Sequence, residues 1–207
     1  MSLVSRRALL TAVPALLVPR IVLADAMPTP SATEGPFYPT EIPADDDNDL
    51  VRIEDAVREA GGDILHLDGR VLDPAARPLA GMRIEIWQCD ANGVYLHPRS
   101  RGGEARDAAF QGFGYATSDA AGAFSFRTIV PVPYPGRTPH IHVKALMDGS
   151  EVLTTQLYRA GFEQNESDGL FRRMSREEQE SVSMTLRPRA GTARAAFDTA
   201  VELVLAV

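Results

Sequence analysis

The sequence predicts an all-β protein: a β-sandwich with an extended N-terminal arm and little helix. Three observations predict it. Apolar and polar residues alternate with a period of two in several short runs, the signature of strands with one buried face. Turn signals rich in Gly, Asp, Asn and Pro separate those runs at short spacings, as in a sandwich and unlike a chain of alternating strands and helices. Hydrophobic residues make up 44% of the 207-residue chain, enough to fill a real core.

Residues 1–26 differ from the rest. Ser5-Arg6-Arg7 precedes an apolar run from Ala8 to Leu23, broken by Pro14, Pro19 and Arg20 and followed by Ala24-Asp25-Ala26. A charged start, a short apolar middle and a small-x-small end make a secretory leader, not a membrane span. The paired arginines point to the twin-arginine route, whose signal is an address read by a receptor. The expectation is an exported protein, periplasmic or extracellular, with no stable membrane span once the leader is cleaved.

Residues 27–60 read as an extended arm, because Pro28, Pro30, Pro36, Pro39 and Pro43 exclude a continuous helix. The acidic run Asp45 to Asp49 lacks the spaced ligands and the glycine of an EF-hand and reads as a solvated turn. The sandwich itself is expected over residues 61–207. Its strands are expected at Ile64 to Val71, Met82 to Trp87, Ala123 to Ile129, His140 to Leu146 and Glu151 to Tyr158. A Gly- and aromatic-rich segment, Phe110 to Thr117, lies among them. On the second strand Ile84 and Ile86 alternate with Arg83 and Glu85. Asp73-Pro74, Asp90 to Gly93, Ser118 to Gly122 and Asp148-Gly149-Ser150 are the turns. A short helix is expected near Ser175 to Ser181, and Ala195 to Val207 reads as a last strand.

Composition removes several function classes. A net charge of −7 argues against nucleic-acid binding, which calls for a basic stripe. The single cysteine, Cys89, excludes an internal disulfide framework, a zinc ribbon and a cysteine-held iron–sulfur cluster. Cys89 itself reads as a small buried residue, Trp87 as core and His66 as a strand-face histidine. The oligomeric state is not set by the sequence, and a homo-oligomer stays open.

His140-Ile141-His142 carries the sharpest chemical signal. On a strand, residues 140 and 142 project to one side, and two imidazoles on one face can share a metal ion. Tyr134 lies upstream in the proline-stiffened run Pro131 to Pro135, and Tyr95 follows the Asn92-Gly93 turn. A phenol is a poor ligand at neutral pH, since its free pKa is about 10. A strongly charged Lewis acid lowers that value and makes phenolate, a hard oxygen donor, the bound form. Two phenolates with two imidazoles favour Fe(III) over zinc. His97 is the rival third histidine, which with His140 and His142 would make a copper or zinc site instead.

Beyond these residues the sequence resembles the intradiol ring-cleavage dioxygenases, the catechol and protocatechuate type. The likeness runs in order through Thr33 to Tyr38, Gly69-Arg70-Val71 with Pro78 to Gly81, and Ile86 to Tyr95. It continues through Phe110 to Gly114, Thr117 to Asp119, Gly122 to Ile129, Pro133 to Pro135, Arg137 to His142 and Thr155 to Tyr158. The resemblance implies a β-sandwich catalytic domain with a non-haem ferric ion, a small aromatic diol and O2 as substrates, and a muconate-type diacid as product. It implies Tyr95, Tyr134, His140 and His142 as metal ligands, with Tyr134 the one that leaves when substrate binds. Arg137 matches the arginine that stabilises negative charge on the substrate, and Gln156 a polar residue beside it. Gly35 and Pro36 match the arm that lines the substrate cavity. In two respects the sequence departs from the family. Only five residues separate Tyr134 from His140, where well-known members carry a longer loop, and Gly136 stands where a bulky aromatic often follows Tyr-Pro. Fold alone would also suit a transthyretin-like binding module without chemistry, since function lives in the site.

Overall fold

A computed structural model describes residues 26–54 and 57–207. The leader expected over residues 1–26 therefore lies outside the described residues, apart from Ala26. Among the described residues no helix is long and apolar enough to cross a membrane.

The chain forms two sheets. Strands β1 (Ile64–Leu72), β4 (Ala123–Ile129), β8 (Arg187–Pro188) and β9 (Ala196–Val204) build one, in the order β4-β1-β9-β8. Strands β2 (Arg83–Trp87), β3 (Phe113–Thr117), β5 (His140–Met147), β6 (Ser150–Arg159) and β7 (Ser183–Met184) build the other, in the order β3-β2-β5-β6-β7. Neighbours are antiparallel except for β1 with β9 and β6 with β7. Among the described residues the one α-helix, α1 (Arg176–Ser181), opens with a capping box in which Ser175 and Glu178 satisfy each other's backbone N–H. The all-β reading and the positions of the strands hold to within a few residues.

Alternation fixes which face is buried. In β1, Leu65, Leu67 and Val71 are fully buried while Asp68 and Arg70 are exposed. From β4, Phe124 and Phe126 face them, and Ile84, Ile86, Ile141, Val143 and Leu157 close the core from the second sheet. The β5–β6 hairpin turns on Asp148 and Gly149, with φ of 50° and 78°. Two positive φ values in a two-residue loop match the right-handed strand twist, which is why Asp-Gly serves there.

The arm is extended, as expected, and it wraps the sandwich. Thr29 exchanges hydrogen bonds with Val204, Ala32 N–H donates to the Thr154 carbonyl, and Tyr115 N–H donates to Asp46 further along. Leu50 and Val51 then enter the core.

This wrapping overturns the simple alternation of β2. Glu85 sits on the face away from the core, yet it is only 4% exposed. Its carboxylate accepts hydrogen bonds from the Tyr38 hydroxyl and from Arg83 Nε, both at 2.8 Å. The arm thus covers the outer face of the second sheet, and strand periodicity alone carries no information about what covers an outer face.

Gly69 on β1 is a point of enforced close approach. A Cβ there would overlap the ring of Phe124 on the paired strand. Gly69→Ala should therefore cost about 1–3 kcal/mol, the usual range for overpacking, in urea unfolding. Adding Phe124→Leu should recover part of that loss, and a wild-type midpoint in Gly69→Ala would contradict the packing.

Candidate active site

The site forms on the outer face of the second sheet. Strand register puts Trp87 of β2 and Gln156 of β6 on either side of His142 of β5, and Tyr158 of β6 beside His140. Loops and the arm roof these residues, so His140, His142, Trp87 and Gln156 are at most 2% exposed. His142 stacks flat on Trp87, with ring centroids 4.7 Å apart and planes at 10°. A Cβ on Gly35 of the arm would sit 3.3 Å from His142 Cε1, and Gly35 has a φ of +75°. Glycine at that position lets the arm lie close against the imidazole.

His140 and His142 point their Nε2 atoms at each other, 3.2 Å apart. Nδ1 of His140 lies 2.7 Å from the Thr138 carbonyl. A carbonyl only accepts, so Nδ1 carries the proton and Nε2 presents a lone pair. Metal–imidazole bonds are about 2.0–2.1 Å long, so two nitrogens held roughly at right angles on one ion lie about 3 Å apart. The observed separation suits a shared ion.

Tyr95 and Tyr134 complete a closed circuit of rings. Their centroids are 5.4 Å apart, Tyr134 is 5.5 Å from His140, His140 is 4.8 Å from His142, and His142 is 6.0 Å from Tyr95. The Tyr95 hydroxyl and His142 Nδ1 are buried without a hydrogen-bond partner. An unpaired buried polar group costs about 1–3 kcal/mol, and a metal taking the phenol oxygen would remove one of those costs. Burial raises both phenols above their ordinary pKa, Tyr95 strongly, with the neighbouring Tyr134 adding to it. Burial also pushes His140 down to about 4 and His142 well below its ordinary value, and Arg137 disfavours charge on both. Without a metal the four rings are therefore neutral.

His97 stands apart from this circuit. Its Nδ1 accepts the Arg99 N–H at 3.0 Å, and its ring borders Phe37 at 5.8 Å. Among the described residues no three His, Cys, Asp or Glu side chains are placed to hold a metal ion. His97, His140 and His142 are thus not brought together as the alternative copper or zinc site requires, and His97 packs instead beside Phe37 of the arm, which stacks on Tyr95 at 4.7 Å.

Arg137 follows a tight turn. Its N–H donates to the Tyr134 carbonyl at 2.9 Å, and Gly136 has a φ of +84°. Pro followed by a positive-φ Gly is the type II arrangement. The short loop and the glycine that depart from the family pattern are thus one feature: the turn needs Gly136, and it returns the chain to β5 within five residues. The Arg137 guanidinium donates from Nη2 to Gln156 Oε1 at 2.6 Å and from Nε to Asp168 Oδ2 at 2.7 Å. Gln156 in turn donates to the Thr33 carbonyl at 3.0 Å, joining the arm to the site. A cavity of about 440 Å³ opens beside Tyr134, Gly136, Arg137 and Asp168.

Sequence reasoning missed Asp168, Tyr158, Phe37 and the contact of Trp87 with His142. Only the composition of Phe37-Tyr38 and Tyr158 hinted at aromatic walls, and no spacing ties Asp168 to Arg137.

The comparisons agree with this architecture. Residues 33–178 match the family described as Dioxygenase, and the chain belongs to that family. It is 35% identical over 135 residues to the protocatechuate 3,4-dioxygenase beta chain of Burkholderia cepacia, covering 61% of this chain and 57% of that one. With hydroxyquinol 1,2-dioxygenase of Rhodococcus opacus it shares 30% identity over 162 residues, covering 69% and 50%. The chain thus spans about half the length of these relatives. One solved structure matches over 99% of its own length and 87% of this chain, with 34% identity and a TM-score of 0.66. It is the dioxygenase domain of a dioxygenase carbohydrate-binding protein fusion from the cellulolytic bacterium Streptomyces sp. SirexAA-E.

Two outcomes follow from burial. In the metal-free protein the unfolded chain takes up protons on His140 and His142 near pH 6.5, while in the fold His140 refuses its proton down to about 4 and His142 is likewise held well below its ordinary value. The unfolded state binds more protons across that window, so stability falls as pH drops through it. Urea midpoints should decline from about pH 7 to about pH 5, less steeply in a His140→Asn/His142→Asn variant; a flat wild-type profile would contradict this. Burial also lifts the Cys89 thiol to about 12. Ellman's reagent should leave the native thiol untouched and titrate it fully in urea, and a fast native reaction would show the loop to be open.

Proposed function

We propose that this chain is an intradiol ring-cleaving dioxygenase that inserts O2 between the two hydroxylated carbons of a small aromatic diol, giving a muconate-type diacid. The observation that carries the reading is the closed circuit of Tyr95, Tyr134, His140 and His142, with two imidazole nitrogens 3.2 Å apart at its centre. Those four side chains would hold a non-haem ferric ion. The donor set fits it: two hard phenolate oxygens offset the charge of a trivalent ion, and two neutral imidazoles complete the set. When bound, such an ion supplies Lewis acidity that favours the diol as its dianion.

The chain's own residues do the rest. Tyr134 is the less buried phenol and stands next to Arg137, so its oxygen is suited to accept a proton from the diol as a general base. Arg137, fixed by Gln156 and Asp168, presents a preorganised positive charge where negative charge builds on the ring. Thr138 keeps the His140 proton on Nδ1, away from the reacting face. Gly35, close against His142, and Pro36 would form the arm-side wall, and Phe37 packs against Tyr95 and Tyr134, which limits water at the phenols. Residues 1–26 would serve as the leader that exports the protein.

Iron loading with visible spectroscopy tests the reading. Wild type should bind one ferric ion and show phenolate-to-iron absorption that changes when a catechol is added anaerobically. Tyr134→Phe and His142→Ala should each lose or strongly shift that band. A colourless wild type, or an unchanged spectrum in both variants, would refute it.

A further inference from the structure

We propose that Asp168 is a positioning residue that fixes the Arg137 guanidinium relative to the imidazole of His140; the inference rests on the proposed dioxygenase reading. The Asp168 side chain has no exposed surface, and its partner Arg137 is 18% exposed. Oδ2 accepts from Arg137 Nε at 2.7 Å and from the Thr138 N–H at 3.1 Å. The other oxygen, Oδ1, accepts from the N–H groups of Leu170 and Phe171 at 2.9 and 3.1 Å. The carboxylate is thus locked at both ends, and neither oxygen can turn toward a substrate.

What it locks is one short chain of contacts. Thr138 lies between Arg137 and His140. Its N–H is held by Asp168, its hydroxyl donates to Asn165 Oδ1 at 2.6 Å, and its carbonyl takes the His140 Nδ1 proton. Asn165 is anchored in turn through Nδ2 to the Arg159 carbonyl at 2.9 Å. A single carboxylate therefore grips the guanidinium on one side and, through the single residue Thr138, the carbonyl that sets the imidazole on the other. A carboxylate that both accepts from Nε and holds the adjacent backbone restricts the side chain to one approach, the role a supporting hydrogen bond plays for a catalytic group. Gln156 at Nη2 then completes the restraint.

Asn in place of Asp168 cannot do the same. Its amide offers one accepting and one donating end, and either orientation turns N–H groups against N–H groups.

A double-mutant cycle on the iron-loaded full chain tests this. Asp168→Asn should keep iron content and the phenolate band, keep KM for catechol within about threefold, and lower kcat by about 10- to 100-fold. In an Arg137→Gln background the same change should cost less than about threefold, because the group it positions is gone. An equal loss in both backgrounds, or loss of iron from Asp168→Asn, would overturn the proposal. If Asp168→Asn does not fold, Asp168→Ser, which leaves room for a water, enters the same cycle. If neither folds, or if wild type proves inactive and the dioxygenase reading fails, exchange of the Arg137 Nε–H decides by nitrogen-15 NMR on wild type loaded with diamagnetic Ga(III). Protection of more than about tenfold over free arginine supports the grip, and exchange at the free rate refutes it.

Discussion

Two imidazole nitrogens facing each other across 3.2 Å, on one face of β5, set the terms for everything around them. A strand holds side chains two residues apart on one side, so His140 and His142 cannot avoid one another. The Thr138 carbonyl takes the Nδ1 proton of His140, so the His140 Nε2 lone pair faces His142 Nε2, which without a metal can donate its proton across the gap. Burial forbids the simple remedy of adding a proton, since both imidazoles are pushed below their ordinary pKa. The buried Tyr95 hydroxyl beside them has no partner, a cost that a bound cation would remove. What the fold leaves without a partner here is the Tyr95 hydroxyl and His142 Nδ1.

The remaining architecture encloses that site. The sandwich core lies on the other side of β5, where Ile141 and Val143 pack, so the face that carries His140 and His142 must be covered from outside. The arm does this. Lys144 of β5 pairs with Glu34 at 2.6 Å and lies 3.8 Å from the centre of the Tyr38 ring, while Tyr38 donates to Glu85. These contacts seat Gly35 against His142. Where the arm passes the phenols, Phe37 closes the wall. The polar outer positions of β2 and β5 are therefore a docking strip for the chain's own N-terminal segment.

How much of this was legible follows from the range of each signal. Strand positions, the Asp148-Gly149 hairpin turn and the shared face of His140 and His142 are local, and the sequence states them directly. Tyr95 and Tyr134 were legible by residue type and by family likeness, because periodicity does not connect segments so far apart. The burial of Glu85 was not legible, since it depends on an arm that arrives from elsewhere in the chain. Asp168 was hidden for the same reason: it meets Arg137 from 31 residues away across a polar stretch without period. Gly136 departs from the family pattern in residue type, and its requirement comes from the turn, where its φ is +84°.

On the proposed reading, four rings from three separate segments would converge on one ferric ion. Anomalous diffraction at the iron edge, from crystals of the iron-loaded protein, tests this most directly. One strong peak should lie within bonding distance of the Tyr95 and Tyr134 hydroxyl oxygens and of Nε2 of both His140 and His142. A peak bonded to the two imidazoles but out of reach of both phenols, or no peak between the imidazoles, would contradict it.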